Sequence, residues 1–205
     1  MPLVIACEFL TGICVAAAHG DRDRAEWPPH PARLYSALVA SWADAGEPDD
    51  ERTALDVLEQ LGPPVIMTPA AGRRDVATQY VPPNDASIGK LGSALPGSAK
   101  VLKAAAAVVP ALRSNRQPRT FPSTPLPDDD ATVRFAWPDA TVDPAARIAL
   151  AQVAARVSYL GHSSSLVRIA LEDAVPTTNG LQQWRPMPEG PTQVRVITPG
   201  RRQTL

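Results

Sequence analysis

At 205 residues with a formal net charge of −1, the chain has room for one good core or one domain with a large insertion, and little room for two independent domains. No global field draws it to nucleic acid or to an anionic membrane, so any such partner must be held by a local patch. The 23 prolines, set against 5% aromatic residues, argue for long irregular connections rather than a helical bundle or a β-sandwich.

Leu3 to Ala18 is rich in Val, Ile, Phe and Ala, and predicts one long central strand with a bulge or bend at Thr11-Gly12. Cys7 and Cys14 lie seven apart on it. The odd spacing puts them on opposite faces, which makes a disulfide between them geometrically poor, and it lacks the tight C-x-x-C arrangement of a redox pair. Two cysteines make no zinc site either, and no metal or cofactor is expected. Reduced thiols, the lack of a signal-peptide pattern and the lack of a membrane-length apolar run predict a cytoplasmic protein with no membrane partner. Asp21 to Glu26 reads as a charged loop. Pro28, Pro29 and Pro31 then forbid helix until the last of them can take a first-turn position, so a helix begins near Pro31. Leu34, Tyr35, Leu38, Val39 and Trp42 give it one apolar stripe, and Gly46 closes it.

A second helix spans Asp50 to Leu61, with acids in its first turn and Gly62-Pro63-Pro64 at its end. Val65 to Thr68 and Val76 to Val81 read as extended. Residues 82–131 read as an insertion, with Gly, Ser, Pro and Ala in excess through Pro127 and no amphipathic period outside Ala99 to Leu112. Val133 to Trp137 is a short alternating strand. Pro144 to Tyr159 is a helix with Ile148, Val153, Val157 and Leu160 on or near one face and Gly161 as its stop. Ser165 to Leu171 is another strand, and a loop runs through Pro191 to a strand over Gln193 to Ile197 and a basic tail. Without the insertion the order is strand, helix, strand, strand, helix, strand. That is the split β-α-β of an α+β, ferredoxin-like (RRM-type) βαββαβ domain, one domain over residues 1–205. The fold by itself carries no function.

Between Ala86 and Pro127 there is no acidic residue, yet Lys90, Lys100, Lys103, Arg113, Arg116 and Arg119 all lie there. Such segregation suits phosphate contacts, because Lys and Arg displace counterions from a nucleic acid and Arg also forks onto phosphate or stacks on a base. Phe121 adds a stacking surface. The plain alternative is a solvated loop. Arg22, Arg24 and His30 flank the entry of the first helix. Imidazole titrates near neutrality, which gives His30 the chemistry of a general base in metal-independent RNA cleavage. No partner Lys, Tyr or second His is identifiable beside it, however, so the favoured reading is a local hydrogen bond or a phosphate contact. Gly161-His162-Ser163-Ser164-Ser165 offers hydroxyls and amides to a phosphate, and reads equally as a capping turn. Asp128, Asp129 and Asp130 read as a solvated turn. No G-x-S-x-G, Walker loop or H-E-x-x-H appears.

EFLTGICVAA, DRDRAEWPPHPARLYSALVASWADAG, RQPRTFP and VSYLGHSSSLV, in this order over nearly the whole chain, resemble the amino-terminal, family-five-like half of the CRISPR-associated fusion of Cas families five and six in subtype I-G (formerly I-U) systems. The resemblance implies a RAMP protein that holds the 5′ handle of a CRISPR RNA in a Cascade-type complex. Its insertion becomes a thumb that contacts RNA, beside backbone RAMP subunits and the large subunit, and target DNA is met only indirectly. Carried onto this sequence, Arg22, Arg24, His30 and Arg33 fall in the first basic block, Arg116 and Arg119 in the second, and His162, Ser163, Ser164 and Ser165 in the third. Ile13 and Cys14 stand where a basic-aromatic pair follows LTG in the family, which argues against an RNA contact at that strand end. The chain stops at Leu205, where the family continues into a nuclease half, so processing activity is expected to be absent. The resulting expectation is a non-catalytic RNA-binding cap. The alternatives are a metal-independent endoribonuclease using His30 or His162, and a scaffold whose insertion meets an acidic protein face.

Overall fold

The computed structural model describes residues 1–76, 78–81, 117–177 and 180–205. They form two compact units, one of Met1–Asp75 with Pro122–Leu205 and one of Val76–Phe121. In the first unit, β1 (Leu3–Phe9) has Leu3, Val4, Ile5 and Cys7 completely buried, so both of its faces are covered and it can only be a central strand. The apolar residues do not continue as one strand. At Gly12, whose φ of +64° favours glycine, the chain turns and the Gly12 N–H returns to the Phe9 carbonyl at 3.0 Å. Two short strands follow, β2 (Ile13–Val15) and β3 (Ala17–Ala18). The expected charged loop is itself a strand, β4 (Asp21–Ala25), paired antiparallel with β3.

Two helices come next, α1 (Pro31–Asp44) and α2 (Asp49–Gln60), then β5 (Val65–Thr68). The second unit contributes a described two-stranded ladder, β6 (Thr78–Val81) with β7 (Gln117–Thr120). Lys90, Lys100, Lys103, Arg113, Arg116 and the stretch Ala99 to Leu112 lie outside the described residues. Back in the first unit, β8 (Ser123–Pro125) pairs with β2, and β9 (Thr132–Trp137), α3 (Pro144–Arg156), β10 (Val167–Glu172) and β11 (Gln182–Trp184) follow before a 3-10 turn at Arg201–Thr204.

The main sheet has the order β10-β1-β9-β5-β11, with every neighbouring pair antiparallel. Its first four strands are the fourth, first, third and second of a βαββαβ unit, so the fold is α+β and ferredoxin-like. Leu3, Ile5 and Phe9 of β1 pack with Leu34, Tyr35, Leu38, Leu55, Leu58, Leu150 and Val153 from α1, α2 and α3 in one core, while Val4, Met67 and Ala136 form a smaller cluster. Each fully buried aliphatic or aromatic side chain contributes about 1.5–3 kcal/mol, enough together to fix the helices on the sheet.

Several expectations are corrected here. Cys7 and Cys14 are on separate strands and in the same core, so the opposite-face argument fails, although both are free thiols. Burial pushes both up, Cys14 to about 12 and Cys7 further. Helix α3 ends at Arg156 rather than Tyr159, because Val157 is extended and buried and Tyr159 bridges Leu166. Its buried face is Ala149, Leu150, Val153 and Ala154, which leaves Ile148 at 61% exposure. Residues 193–197 form no strand. The sheet edge beside β5 is taken instead by β11, whose Trp184 Nε1 donates to Thr68 Oγ1 at 3.2 Å.

Candidate functional site

Helix α1 begins at Pro31 without a side-chain cap. One of its first free N–H groups, that of Ala32, instead donates to the Arg195 carbonyl at 3.1 Å, which brings the late segment onto the helix entry. On this side of the molecule a groove of about 390 Å³ is lined by Arg33 from α1, Arg156 and Tyr159 from the end of α3 and beyond, and Arg195 and Arg201 from the late segment, with His30 also on its wall. Asp44 is the one carboxylate among its described lining residues.

The four arginines are not equivalent. Arg33 forks onto Glu26, with Nε to Oε1 at 2.6 Å and Nη2 to Oε2 at 2.9 Å, and its Nη2 also reaches the Ala17 carbonyl. Arg156 Nη2 lies 2.5 Å from Oε2 of the buried Glu51. Among the described residues neither Arg195 nor Arg201 pairs with a carboxylate. Arg195 meets His19 Nδ1, and Arg201 has an Nε buried without a hydrogen-bond partner. Two uncompensated cations therefore remain on one groove of a chain with a net charge of −1, an arrangement suited to phosphate oxygens.

His30 is 6% exposed. Its backbone N–H donates to Glu26 Oε1 at 3.3 Å and its Nδ1 lies 3.2 Å from Glu26 Oε2. Burial holds its pKa below the usual imidazole range, and the Arg33, Arg195 and His19 charges act in the same direction against the opposing pull of Glu26. The ring is thus a neutral partner of the Glu26–Arg33 pair. Arg33 in turn lies against Gly161, whose φ of +79° favours glycine and where a Cβ would come to 3.4 Å from the Arg33 Cδ. This joins the first and third basic blocks in space.

The remaining expected residues are distributed elsewhere. Arg22 and Arg24 stand exposed on β4, and Arg24 is 3.8 Å from the Asp21 carboxylate. Arg119 is exposed on β7 opposite Gln79, and Phe121 is exposed after it. In the 161–165 turn, His162 Nδ1 accepts the Ser164 N–H at 3.2 Å, while Ser163 and Ser164 are exposed. Ser165 is fully buried, and its Oγ accepts the Val15 N–H at 2.7 Å. Part of this cluster therefore clamps β2 to the turn. Glu26, Arg156, Arg195 and Arg201 were not singled out by sequence reasoning. Arg201 carried a signal in the basic tail and Arg195 lay in the expected strand over Gln193 to Ile197, but Glu26 and Arg156 acquire meaning only through partners distant in the chain. Among the described residues no group of three or more metal-ligating side chains assembles, and no helix is long and apolar enough to cross a membrane.

A family model described as CRISPR-associated protein, GSU0054 family, matches residues 6–205. None of the curated proteins matches the chain.

Proposed function

The chain belongs to the CRISPR-associated GSU0054 family, and from that premise we propose that it is a non-catalytic cap which holds the 5′ handle of a CRISPR RNA. In this reading it is the family-five-like portion of the subtype I-G fusion it resembles, seated in a Cascade-type complex between backbone RAMP subunits and the large subunit. The guide reads target DNA by base pairing and the protein meets it only indirectly. The observation that carries the reading is the convergence of Arg33, Arg156, Arg195 and Arg201 on one groove. Support also comes from the acid-free segment 86–127 with its six cations.

A non-catalytic role is supported by His30. An imidazole that is almost fully buried is poorly placed as a base for an incoming 2′-hydroxyl, which needs to reach the accepting nitrogen. Labelled repeat RNA incubated with the protein in EDTA, then run on native gels across a salt series and on denaturing gels, tests both parts. We expect retention of intact RNA with preference for a processed 5′ handle. Defined cleavage that disappears in His30→Ala or His162→Ala would establish the endoribonuclease instead.

A further inference from the structure

Both uncompensated arginines of the groove come from the strap that follows Gly190, and the strap has no ladder of its own. Its course depends on a few anchors. Ile197 is buried in the core and the Arg195 carbonyl takes the Ala32 N–H. The decisive anchor is Glu59 on α2. Its carboxylate accepts Tyr35 O–H at 2.6 Å, Gly200 N–H at 2.6 Å and Arg202 N–H at 2.7 Å, and the residue is 4% exposed. One helix turn earlier, Asp56 receives Arg202 in a fork, with Nε to Oδ1 at 3.0 Å and Nη2 to Oδ2 at 3.2 Å. The Arg202 guanidinium also lies over the Trp42 ring, 5.3 Å from its centroid.

A buried carboxylate is tolerated only when its oxygens are satisfied by donors. Two of the three Glu59 donors are strap backbone N–H groups that flank Arg201, so satisfying Glu59 and placing Arg201 on the groove wall are one structural event. Burial opposes the charge of Glu59, but the three accepted hydrogen bonds and Arg202 outweigh it and hold the carboxyl below the usual range. The latch is therefore closed and charged near neutral pH.

We propose that Glu59 is a positioning residue for the groove: by latching the terminal turn to α2 it fixes Arg195 and Arg201 where they bind the phosphodiester backbone of single-stranded RNA. The inference rests on the RNA-binding reading above and adds that the site is complete only while the strap is seated. Removing the charge of Glu59 then weakens RNA binding although Glu59 itself touches no RNA.

The test is fluorescence anisotropy of labelled single-stranded repeat RNA with the full chain as wild type, Glu59→Gln, Glu59→Asp, Arg195→Ala/Arg201→Ala and the triple variant Glu59→Gln/Arg195→Ala/Arg201→Ala. Arg202→Gln, which removes the Asp56 fork and the Trp42 contact that hold the same turn on α2 and α1, is carried alongside in case Glu59→Gln fails to fold. Loss of two phosphate contacts reduces affinity about tenfold or more at 0.1 M salt and shallows the log-log salt slope by about 1.4. We expect that change in the arginine pair and in Glu59→Gln or Arg202→Gln, partial rescue in Glu59→Asp, and no further loss in the triple variant. Merely lowered stability leaves the salt slope of the folded fraction unchanged. Wild-type affinity and slope in a folded latch variant, or additive losses in the triple variant, would overturn the latch while leaving RNA binding intact. Failure of the wild type to bind RNA at low salt would overturn the underlying reading, and this inference with it.

Discussion

Glu26 binds Arg33 through both carboxylate oxygens and lies against His30, so three residues that look like separate polar groups in the sequence act as one unit, with Glu26 and His30 buried and Arg33 part-buried at the groove. The unit makes a pH prediction whose sign is fixed by His30. Its pKa in the fold is lowered from 6.5, chiefly by burial, so the unfolded chain takes up this proton at a higher pH than the folded one. Where the unfolded state binds more protons, stability rises with pH. The contribution is whole above 6.5, is lost as pH falls from there through the lower folded value, and then levels off. Urea midpoints at pH 7.5 and pH 5 should therefore drop further in the wild type than in His30→Asn; equal drops would remove His30 as a source of acid sensitivity. The sequence allowed His30 to be read as a local hydrogen-bonding group. It gave no sign of Glu26 as the partner, because a carboxylate in a run of charges looks solvated until tertiary structure buries it.

Helix α3 shows how an element is closed by its own sequence at one end and by its neighbours at the other. At the start, Asp143 accepts the Ala145 N–H at 2.9 Å and the Ala146 N–H at 3.4 Å, with Pro144 in the first turn. Asp143→Ala should cost about 1 kcal/mol in denaturant unfolding, the usual value of a side-chain N-cap, without changing the dependence on denaturant; no change in midpoint would mean that water or backbone replaces the cap. At the far end the helix yields to a β-bridge between Tyr159 and Leu166, which no local propensity announces. The same division explains the rest of the elements. The apolar stripe of α1 and the runs of β1, β5 and β9 were legible because periodicity and burial agree there. The three residues of β11 carry too short a pattern to read, and Val194, Val196 and Ile197 imitate a strand while serving as a strap.

At the scale of the whole molecule, all 21 acidic residues lie outside residues 86–127, while six of the 20 lysines and arginines lie inside. With the total near neutrality, attraction to RNA must come from two local sources, the groove and that segment, because long-range fields largely cancel. Their shares are separable by salt. For single strands each neutralised phosphate contributes about 0.7 to the slope of log affinity against log salt. The uncompensated pair Arg195 and Arg201 therefore accounts for about 1.4 of it, and a segment using all six of its cations for about 4. Replacing Lys100, Arg113, Arg116 and Arg119 by alanine should flatten the wild-type slope by about 2.8 if all four meet phosphate, and should do so equally in the Arg195→Ala/Arg201→Ala background, since separate contacts release separate counterions. A slope unchanged by the four substitutions would confine RNA binding to the groove. A steep slope that persists in the six-residue variant would place the contact with neither.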